Sequence, residues 1–135
     1  MPITEFLSRN AKLYGAEISL VEINPELQEK SEKTWREFEL IETNPKAEFR
    51  REITWKEFDD NANRFANLLI MQGVKKGDKV AILLMNCIEW LPIYFGALKA
   101  GALAVPMNFR YTAEEIQYCL NLSEADVLVF GPEFI

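Results

Sequence analysis

The sequence contains no histidine, only two cysteines and no long apolar run, and each shortage excludes a class of protein. Without an imidazole there is no Ser-His-Asp or Cys-His nucleophilic site, no histidine-ligated metal and no imidazole switch near neutral pH. Cys87 and Cys119 form no Cys-x-x-Cys pair, which excludes thiol–zinc and thioredoxin-type sites. They are predicted to be buried free thiols, with a disulfide as the alternative. The longest apolar stretches, residues 80–85 and 102–107, are far too short to span a bilayer.

The charge balance is acidic, with 15 Lys and Arg against 21 Asp and Glu, a net charge of −6. Nucleic-acid binding requires clustered Lys and Arg, so we expect no nucleic-acid partner. The first ten residues lack a basic start followed by an apolar core, which predicts no signal peptide and a cytoplasmic location. A composition of 49% hydrophobic and 12% aromatic residues is typical of a globular chain.

The first fifty residues read as a helix followed by strands. The spacing of apolar residues predicts a helix over residues 4–14, ended by Gly15, and β-branched residues predict a strand at 18–23. Residues 34–42 fit a strand better than a helix, although the helix stays an alternative. Residues 49–54 are then expected to return antiparallel to that strand, closing a hairpin with a long loop.

From Thr54 onward the pattern predicts helices alternating with buried strands. Thr54 and Glu57 form a capping box ahead of an amphipathic stripe, and Gly73 stands where a left-handed residue ends a helix. Residues 80–84 are wholly apolar, which is typical of a strand buried on both faces of a parallel sheet.

This cycle repeats twice along the chain. Asn86 and Glu89 are predicted to open a helix through Leu98, which starts late or bends at Pro92. Strands follow at residues 102–106 and 127–130. A third capping box precedes the helix between them, formed by Thr112 and Glu115.

These elements predict an α/β fold with an open, mostly parallel sheet, preceded by a helix and antiparallel strands. Residues 1–52 are assigned to the leading helix and antiparallel strands. Residues 53–135 are assigned to the strand–helix–strand crossover units.

A search of the sequence for catalytic and ligand-binding motifs yields one candidate residue. There is no Gly-x-Gly-x-x-Gly or Gly-Lys-Ser/Thr motif, and residues 73–78 read as an ordinary helix-to-strand turn. The paired acids Asp59-Asp60 and Glu114-Glu115 are explained by helix N-termini and solvation. Arg110 follows a buried strand, at the sheet edge where ligands bind in α/β folds, and could clamp a phosphate or carboxylate. The alternative is a solvated arginine near Glu114 or Glu115.

The order of short motifs over residues 53–130 carries a family resemblance. They are Ile53-Thr54-Trp55-x-Glu57-Phe58-Asp59, Asn61-x-x-Arg64-x-Ala66, Gly73-Val-x-Lys-Gly77-Asp78, Asn86-x-x-Glu89-Trp90, Phe95-Gly96-Ala97-Leu98-Lys99-Ala100-Gly101-Ala102, Val105-Pro106-x-Asn108-x-Arg110 and Thr112-x-Glu114-Glu115-Ile116. The chain thereby resembles the start of AMP-forming acyl-CoA synthetases, members of the adenylate-forming superfamily. The first fifty residues fit this family more loosely.

The resemblance implies a two-step ligase. A carboxylic acid, of fatty-acid type in many similar members, reacts with ATP and Mg²⁺ to give an acyl adenylate and pyrophosphate. Coenzyme A then displaces AMP to form the thioester. Arg110 lies where some members place an arginine near the coenzyme A nucleotide, although Phe109 replaces the commoner proline. The resemblance assigns no catalytic or metal-binding residue to this sequence.

Two family motifs are missing, the Ser/Thr/Gly-rich loop ending in Lys and Tyr-Gly-x-Thr-Glu. We therefore expect an N-terminal fragment of such an enzyme that is inactive alone and binds no cofactor tightly. Its uncovered sheet is expected to make it a homo-oligomer, through residues 127–135 or a helix-free sheet face. The alternatives are a free-standing α/β binding module with a ligand near Asn86 and Asn108, or a truncated paralogue that acts as an interaction partner.

Overall fold

A computed structural model describes residues 2–23 and 50–135 of the chain. Residues 34–42, predicted as a strand, lie outside the described residues. The elements within them are α1 (Ile3–Leu13), β1 (Ile18–Ile23), β2 (Arg50–Thr54), α2 (Trp55–Met71), β3 (Lys79–Leu83), α3 (Trp90–Lys99), β4 (Leu103–Pro106), α4 (Ala113–Ser123), β5 (Val127–Phe130) and a 3₁₀ turn (Pro132–Phe134). No helix among these elements is both long and apolar enough to cross a membrane.

The amino-terminal strands form a small antiparallel sheet. β2 pairs with β1, from Ile18 opposite Thr54 to Ile23 opposite Arg50, with a register shift between Ile18 and Leu20. The sequence pattern predicted that residues 49–54 pair with residues 34–42, whereas the partner of β2 among the described residues is β1. The antiparallel character of this part is confirmed.

The second sheet is parallel, as the sequence predicted, and its strand order is β4-β3-β5. α3 connects β3 to β4, and α4 carries the chain from β4 to the far side of β3. The central strand β3 is buried because helices cover both faces. Val80 and Ile82 pack in the cluster that includes residues of α2 and α3, while Ala81 and Leu83 pack with residues of α4. A strand enclosed in this way needs no polar alternation, which explains its continuous apolar run.

Two of the three predicted helix starts are confirmed. In α2 the Glu57 N–H donates to Thr54 Oγ1 at 3.2 Å and the Thr54 N–H donates to Glu57 Oε2 at 2.8 Å. The same reciprocal pair joins Thr112 and Glu115 in α4. Each pair satisfies two backbone donors that a helix N-terminus otherwise leaves free.

The third predicted cap, Asn86 with Glu89, is wrong. α3 begins at Trp90, and Glu89 makes no side-chain cap. Its carboxylate is instead held by Arg51. Pro92 falls in the first turn of α3, where its missing N–H has no helical partner to lose. The helix therefore starts late, which is one of the two outcomes the sequence allowed.

A half-buried polar cluster fastens α1 to α2 and α3. Lys99 Nζ lies 2.6 Å from Asp59 Oδ1 and 2.7 Å from Asn63 Oδ1, and the Ser8 hydroxyl donates to Asp59 Oδ1 at 3.1 Å. The Lys99 and Asp59 side chains are only 12% and 16% exposed. Asp59 is thus a partly buried ion-pair partner, and its prediction as a solvated helix-start residue is wrong.

Candidate functional site

The loops after the three parallel strands meet at one edge of the sheet, which is where open α/β folds bind ligands. The loop after β4 begins at buried Met107, whose N–H donates to the Ile82 carbonyl at 2.9 Å. Asn108 then accepts the Arg110 N–H at 3.0 Å through Oδ1. This side-chain-to-backbone bond is typical of an Asx turn, so the Asn108 oxygen shapes the loop that presents Arg110.

Arg110 is exposed on this loop. Its guanidinium carbon lies 5.5 Å from the centre of the Phe109 ring, within the range of a cation–π contact. No carboxylate of the described residues forms an ion pair with Arg110. The neighbouring Glu115 is used in the cap of α4. A planar cation whose charge no carboxylate balances is a suitable partner for an incoming phosphate or carboxylate.

The loop after β3 is held by a charged frame. Glu22 on β1 accepts the Ile88 N–H at 2.7 Å, although the two residues are 66 positions apart. Arg51 on β2 contacts both carboxylates, with Nη1 3.4 Å from Glu22 Oε2 and Nη2 2.6 Å from Glu89 Oε1. The charged frame of Glu22, Arg51 and Glu89 therefore fixes the loop against the small antiparallel sheet.

Burial and hydrogen bonds shift the pKa values of Glu89 and Arg51 in this frame and of the nearby Cys87. Burial alone would raise the pKa of Glu89, but the hydrogen bond and charge of Arg51 hold it below its usual value. The hydrogen bond to Glu89 raises the pKa of Arg51. Burial raises the pKa of the Cys87 thiol, which keeps this thiol protonated near neutral pH and argues against a nucleophilic role. Cys87 and Cys119 are both free thiols, half-buried in the structure.

Two apolar grooves open at this edge. The α4 groove, of about 430 Å³, lies between α4, the end of β5 and the 3₁₀ turn, and is lined by Leu83, Ile116, Leu120, Leu128, Phe130 and Phe134 among others. The Arg51 groove, of about 410 Å³, lies between β2, α2 and the start of α3. Its walls are Ile53, Phe65, Ile88 and Pro92, with Arg51, Arg64 and Glu89 also lining it.

The described residues contain no group of three or more Cys, Asp or Glu side chains that could hold a metal ion. The turn of residues 73–78 lies at the opposite end of β3. There the Gly77 N–H donates to the Gly101 carbonyl at 2.9 Å, as in an ordinary connection.

The structure places Arg110 on the same sheet edge as Asn86 and Asn108, the two residues named for the alternative binding module, and all three lie on loops. Asn86 is exposed on the loop after β3. Sequence reasoning missed Glu22 and Arg51, because nothing in the local pattern around either residue points to the loop at Ile88. Only the pairing of β1 with β2 brings them there.

A parallel α/β unit with a ligand edge and a leading antiparallel pair defines a nucleotide- or small-molecule-binding class of fold. The sequence model described as "AMP-binding enzyme" matches residues 27–133 of this chain. The chain therefore belongs to the AMP-binding enzyme family.

Individual relatives agree with this assignment. The chain is 43% identical over 70 residues to the long-chain-fatty-acid–CoA ligase FadD13 of Mycobacterium tuberculosis, a match covering 52% of this chain and 14% of the relative. It is 46% identical over 72 residues to the crotonobetaine/carnitine–CoA ligase of Escherichia coli K12, covering 53% and 14%. The inhibitor-bound N-terminal domain of FACL13 from M. tuberculosis superposes with a TM-score of 0.73 and 27% identity, covering 96% of this chain and 27% of that one.

The chain matches only a small part of each of these relatives. The matched segments span about a seventh of each curated relative, and the superposition spans about a quarter of the solved domain. The described crossover units and leading strands therefore share their fold with part of the N-terminal domain of FACL13.

Proposed function

We propose that this chain supplies the first part of the large domain of an ATP-dependent acyl-CoA ligase. Family membership over residues 27–133 is the observation that carries the proposal. Within it, residues 1–52 provide the leading helix and antiparallel strands, and residues 53–135 provide the crossover units. A carboxylic acid is the substrate, of fatty-acid type by analogy with the relative described as a long-chain-fatty-acid–CoA ligase.

The proposed reaction has two displacement steps. A substrate carboxylate oxygen bonds to the α-phosphorus of ATP while the bond from that phosphorus to the bridging oxygen breaks, which releases pyrophosphate. The sulfur of coenzyme A then bonds to the acyl carbon of the adenylate. AMP leaves with the former carboxylate oxygen, and the thiol proton passes to solvent. ATP and coenzyme A are cellular metabolites, in keeping with the cytoplasmic location that we propose.

In this scheme Arg110 binds the nucleotide part of coenzyme A. Its exposed guanidinium, its position at the ligand edge and the absence of a carboxylate partner among the described residues support the role. The Asx turn at Asn108 and the Phe109 ring restrict where the guanidinium lies. Pre-positioning of this kind lowers the entropy lost when an anion binds.

The chain alone is proposed to be inactive. Its sequence lacks the Ser/Thr/Gly-rich phosphate loop. Purified chain is expected to show no ATP–pyrophosphate exchange above background with octanoate, dodecanoate or benzoate. Exchange that copurifies with the chain would contradict this part of the proposal.

A chimera tests the ligase assignment directly. The segment of M. tuberculosis FACL13 that superposes on this chain is replaced by residues 1–135, and acyl-CoA formation from dodecanoate is measured. We expect a folded chimera with ligase activity. A control chimera carrying Gly96→Trp, which fills the contact of α3 with α2, is expected to be inactive. A chimera that folds cooperatively yet forms neither adenylate nor thioester would contradict the assignment.

The same chimera tests Arg110. Replacing a charge-assisted phosphate contact by a neutral group costs about 1.5–3 kcal/mol, roughly a tenfold to hundredfold rise in KM for coenzyme A. Arg110→Gln should raise that KM and leave ATP–pyrophosphate exchange unchanged. The matched control is Arg9→Gln, which also removes a guanidinium stacked on a phenylalanine, in α1. An unchanged KM in the Arg110 variant would remove this residue from the coenzyme A site.

A further inference from the structure

Residues from two of the sequence motifs meet at the Arg51 groove, and the proposed reaction uses neither motif. Asn61 and Arg64, which belong to the motif in α2, line this groove. Glu89, which belongs to the motif after β3, lines it as well. The fold therefore brings together three polar side chains that no step of the proposed reaction employs.

Arg64 brings a positive charge to this groove. Its side chain is exposed, and its Nη1 donates to Asn61 Oδ1 at 3.4 Å, one turn earlier in α2. No carboxylate of the described residues forms an ion pair with Arg64. The hydrogen bond from Lys56, at 2.6 Å, lowers the pKa of Asp60, and the charge of Arg64 lowers it to a smaller extent. Asp60 is thus held by Lys56, and the guanidinium of Arg64 is available to a ligand.

The other two charges in the groove balance each other. Arg51 Nη2 lies 2.6 Å from Glu89 Oε1, and Arg51 also contacts Glu22, which does not line the groove. Two guanidinium groups therefore face one carboxylate among the lining residues, which leaves an excess of one positive charge. A ligand with a single negative charge would balance this excess, whereas the second charge of a phosphate would be repelled by Glu89.

The rest of the groove wall is apolar. It consists of Ile53, Phe65, Leu68, Ile88, Pro92 and Ile93. Leu68 is 50% exposed, so part of this apolar surface lies open to solvent. The volume of about 410 Å³ lies near the lower end of the range for small-molecule sites, about 300–1,000 Å³. An alkyl chain of moderate length would fill the groove and remove its apolar surface from water.

We propose that the Arg51 groove binds the anion of a medium-chain fatty acid, with its carboxylate on Arg64 and its alkyl chain along the apolar wall. The planar guanidinium offers paired donors that match the two oxygens of a carboxylate. The contact with Asn61 restricts the arginine side chain before the ligand binds, which lowers the entropy lost on binding. This inference goes beyond the proposed function, because the anion binds without ATP, without coenzyme A and without a bond-forming step.

The test is binding of decanoate to the purified 135-residue chain, measured by titration calorimetry below the concentration at which decanoate forms micelles. We expect saturable one-to-one binding, with NMR shift changes at the amides of Ile53, Leu68 and Ile88. Absence of binding to a chain that is folded by circular dichroism would overturn the proposal. Shift changes confined to the α4 groove would overturn it too.

Two variants locate the ligand. Arg64→Gln should weaken decanoate binding about tenfold, which corresponds to about 1.4 kcal/mol. Leu68→Gln, at an exposed position of the apolar wall, should weaken it about fivefold. The matched controls are Arg9→Gln in α1 and Leu122→Gln in α4, two exposed residues outside the groove, and both should leave binding unchanged. Equal losses from Arg64→Gln and Arg9→Gln would overturn the assignment to this groove.

Two further probes test the class of ligand. Decanol has an alkyl chain of the same length without the charge, so its binding should be unaffected by Arg64→Gln. Inorganic phosphate should cause no shift changes at Ile53, Leu68 or Ile88. Phosphate binding that is lost in Arg64→Gln and kept in Leu68→Gln would identify a general anion site and overturn the fatty-acid assignment.

The outcomes separate this inference from the proposed function. A chain that binds decanoate through Arg64 but yields an inactive chimera would support the fatty-acid site and contradict the ligase assignment. An active chimera made from a chain that does not bind decanoate would support the ligase assignment and overturn the fatty-acid site.

Discussion

The ammonium group of Lys99 lies where three helices meet, and its environment predicts a large effect of mutation. Lys99→Met keeps the apolar stem but leaves the Asp59 carboxylate, 16% exposed, without its cation. Breaking a buried pair by removing one partner costs about 3–5 kcal/mol, and since this pair keeps some solvent contact we expect about 2–3 kcal/mol. The free energy of unfolding is measured by urea denaturation followed by circular dichroism.

The control for Lys99 is an ion pair of the same length at the surface. Lys56 Nζ lies 2.6 Å from Asp60 Oδ2, but these side chains are 69% and 42% exposed. Lys56→Met should change the free energy of unfolding by no more than about 0.5 kcal/mol, because water competes for both charges. If Lys99→Met and Lys56→Met lowered the free energy of unfolding by similar amounts, burial would not explain the strength of the Lys99–Asp59 pair.

The pKa of Glu89 gives a pH prediction. Burial opposes ionisation of Glu89, yet Arg51 lowers its pKa below the ordinary 4.5. A carboxyl whose folded-state pKa is lowered stabilises the protein above its unfolded-state pKa, and the stabilisation is lost as pH falls through the folded-state value. Arg51→Met should therefore raise the pKa of Glu89, measured by NMR titration of its carboxyl carbon. A pKa that stays in place would show that Arg51 is not the cause.

Residue identities alone could not reveal these charged contacts. Asp59 stands near the start of a helix, where an acid is already explained by the helix dipole, so its role with Lys99 required the packing of α2 against α3. Glu22 is likewise an ordinary acid on a strand until pairing with β2 brings it beside Ile88. Arg110, by contrast, could be proposed as a site residue from the sequence, because it follows an apolar strand.

At the scale of helices, the contact of α2 with α3 depends on Gly96. A Cβ at this position would lie 2.8 Å from the Ala62 carbonyl oxygen and 2.8 Å from Cδ1 of Phe65. Because the oxygen belongs to the backbone, the helices must separate, and overpacking of this kind costs about 1–3 kcal/mol. Gly96→Ala should lower the free energy of unfolding by that amount even though alanine favours helices. Asn67→Ala, at an exposed position of α2, should change it by less than about 0.5 kcal/mol.

The sequence predicted the start of a helix correctly where the cap is formed by residues close together in the chain. The boxes at Thr54 and Thr112 were recognisable because both partners of each cap lie within four residues. Asn86 and Glu89 have the same spacing, but Glu89 is taken by Arg51, a residue 38 positions away. A local pattern cannot include a competitor brought in by tertiary structure, and this accounts for the failed cap.

At the scale of the whole molecule, the alternation of elements predicted the parallel sheet but not its strand order. Wholly apolar strands indicated two covered faces. The structure confirms this for the central strand β3, whereas β4 and β5, at the edges of the sheet, are only partly buried. The order β4-β3-β5 puts the last strand at an edge beside α2, a helix that precedes it by more than fifty residues. The residues that flank this edge come from segments far apart in the chain, and the crossover connection brings them together. No single sequence segment therefore predicts them.

The same edge predicts how the isolated chain behaves. Among the described residues β5 pairs with β3 alone, so the N–H and C=O groups of Val127 and Val129 that face away from β3 and the apolar side chain of Phe130, 47% exposed, are available to other strands. The net charge of −6 opposes association only weakly, because exposed charges are screened beyond about 8 Å at physiological salt. We expect reversible, concentration-dependent self-association, with a mass by light scattering that rises above the 15.6 kDa of one chain. Val129→Pro should restore the monomer mass and Ala104→Pro should not. A wild-type chain that stays monomeric at all concentrations would show that the open edge is too short or too twisted to recruit a second copy.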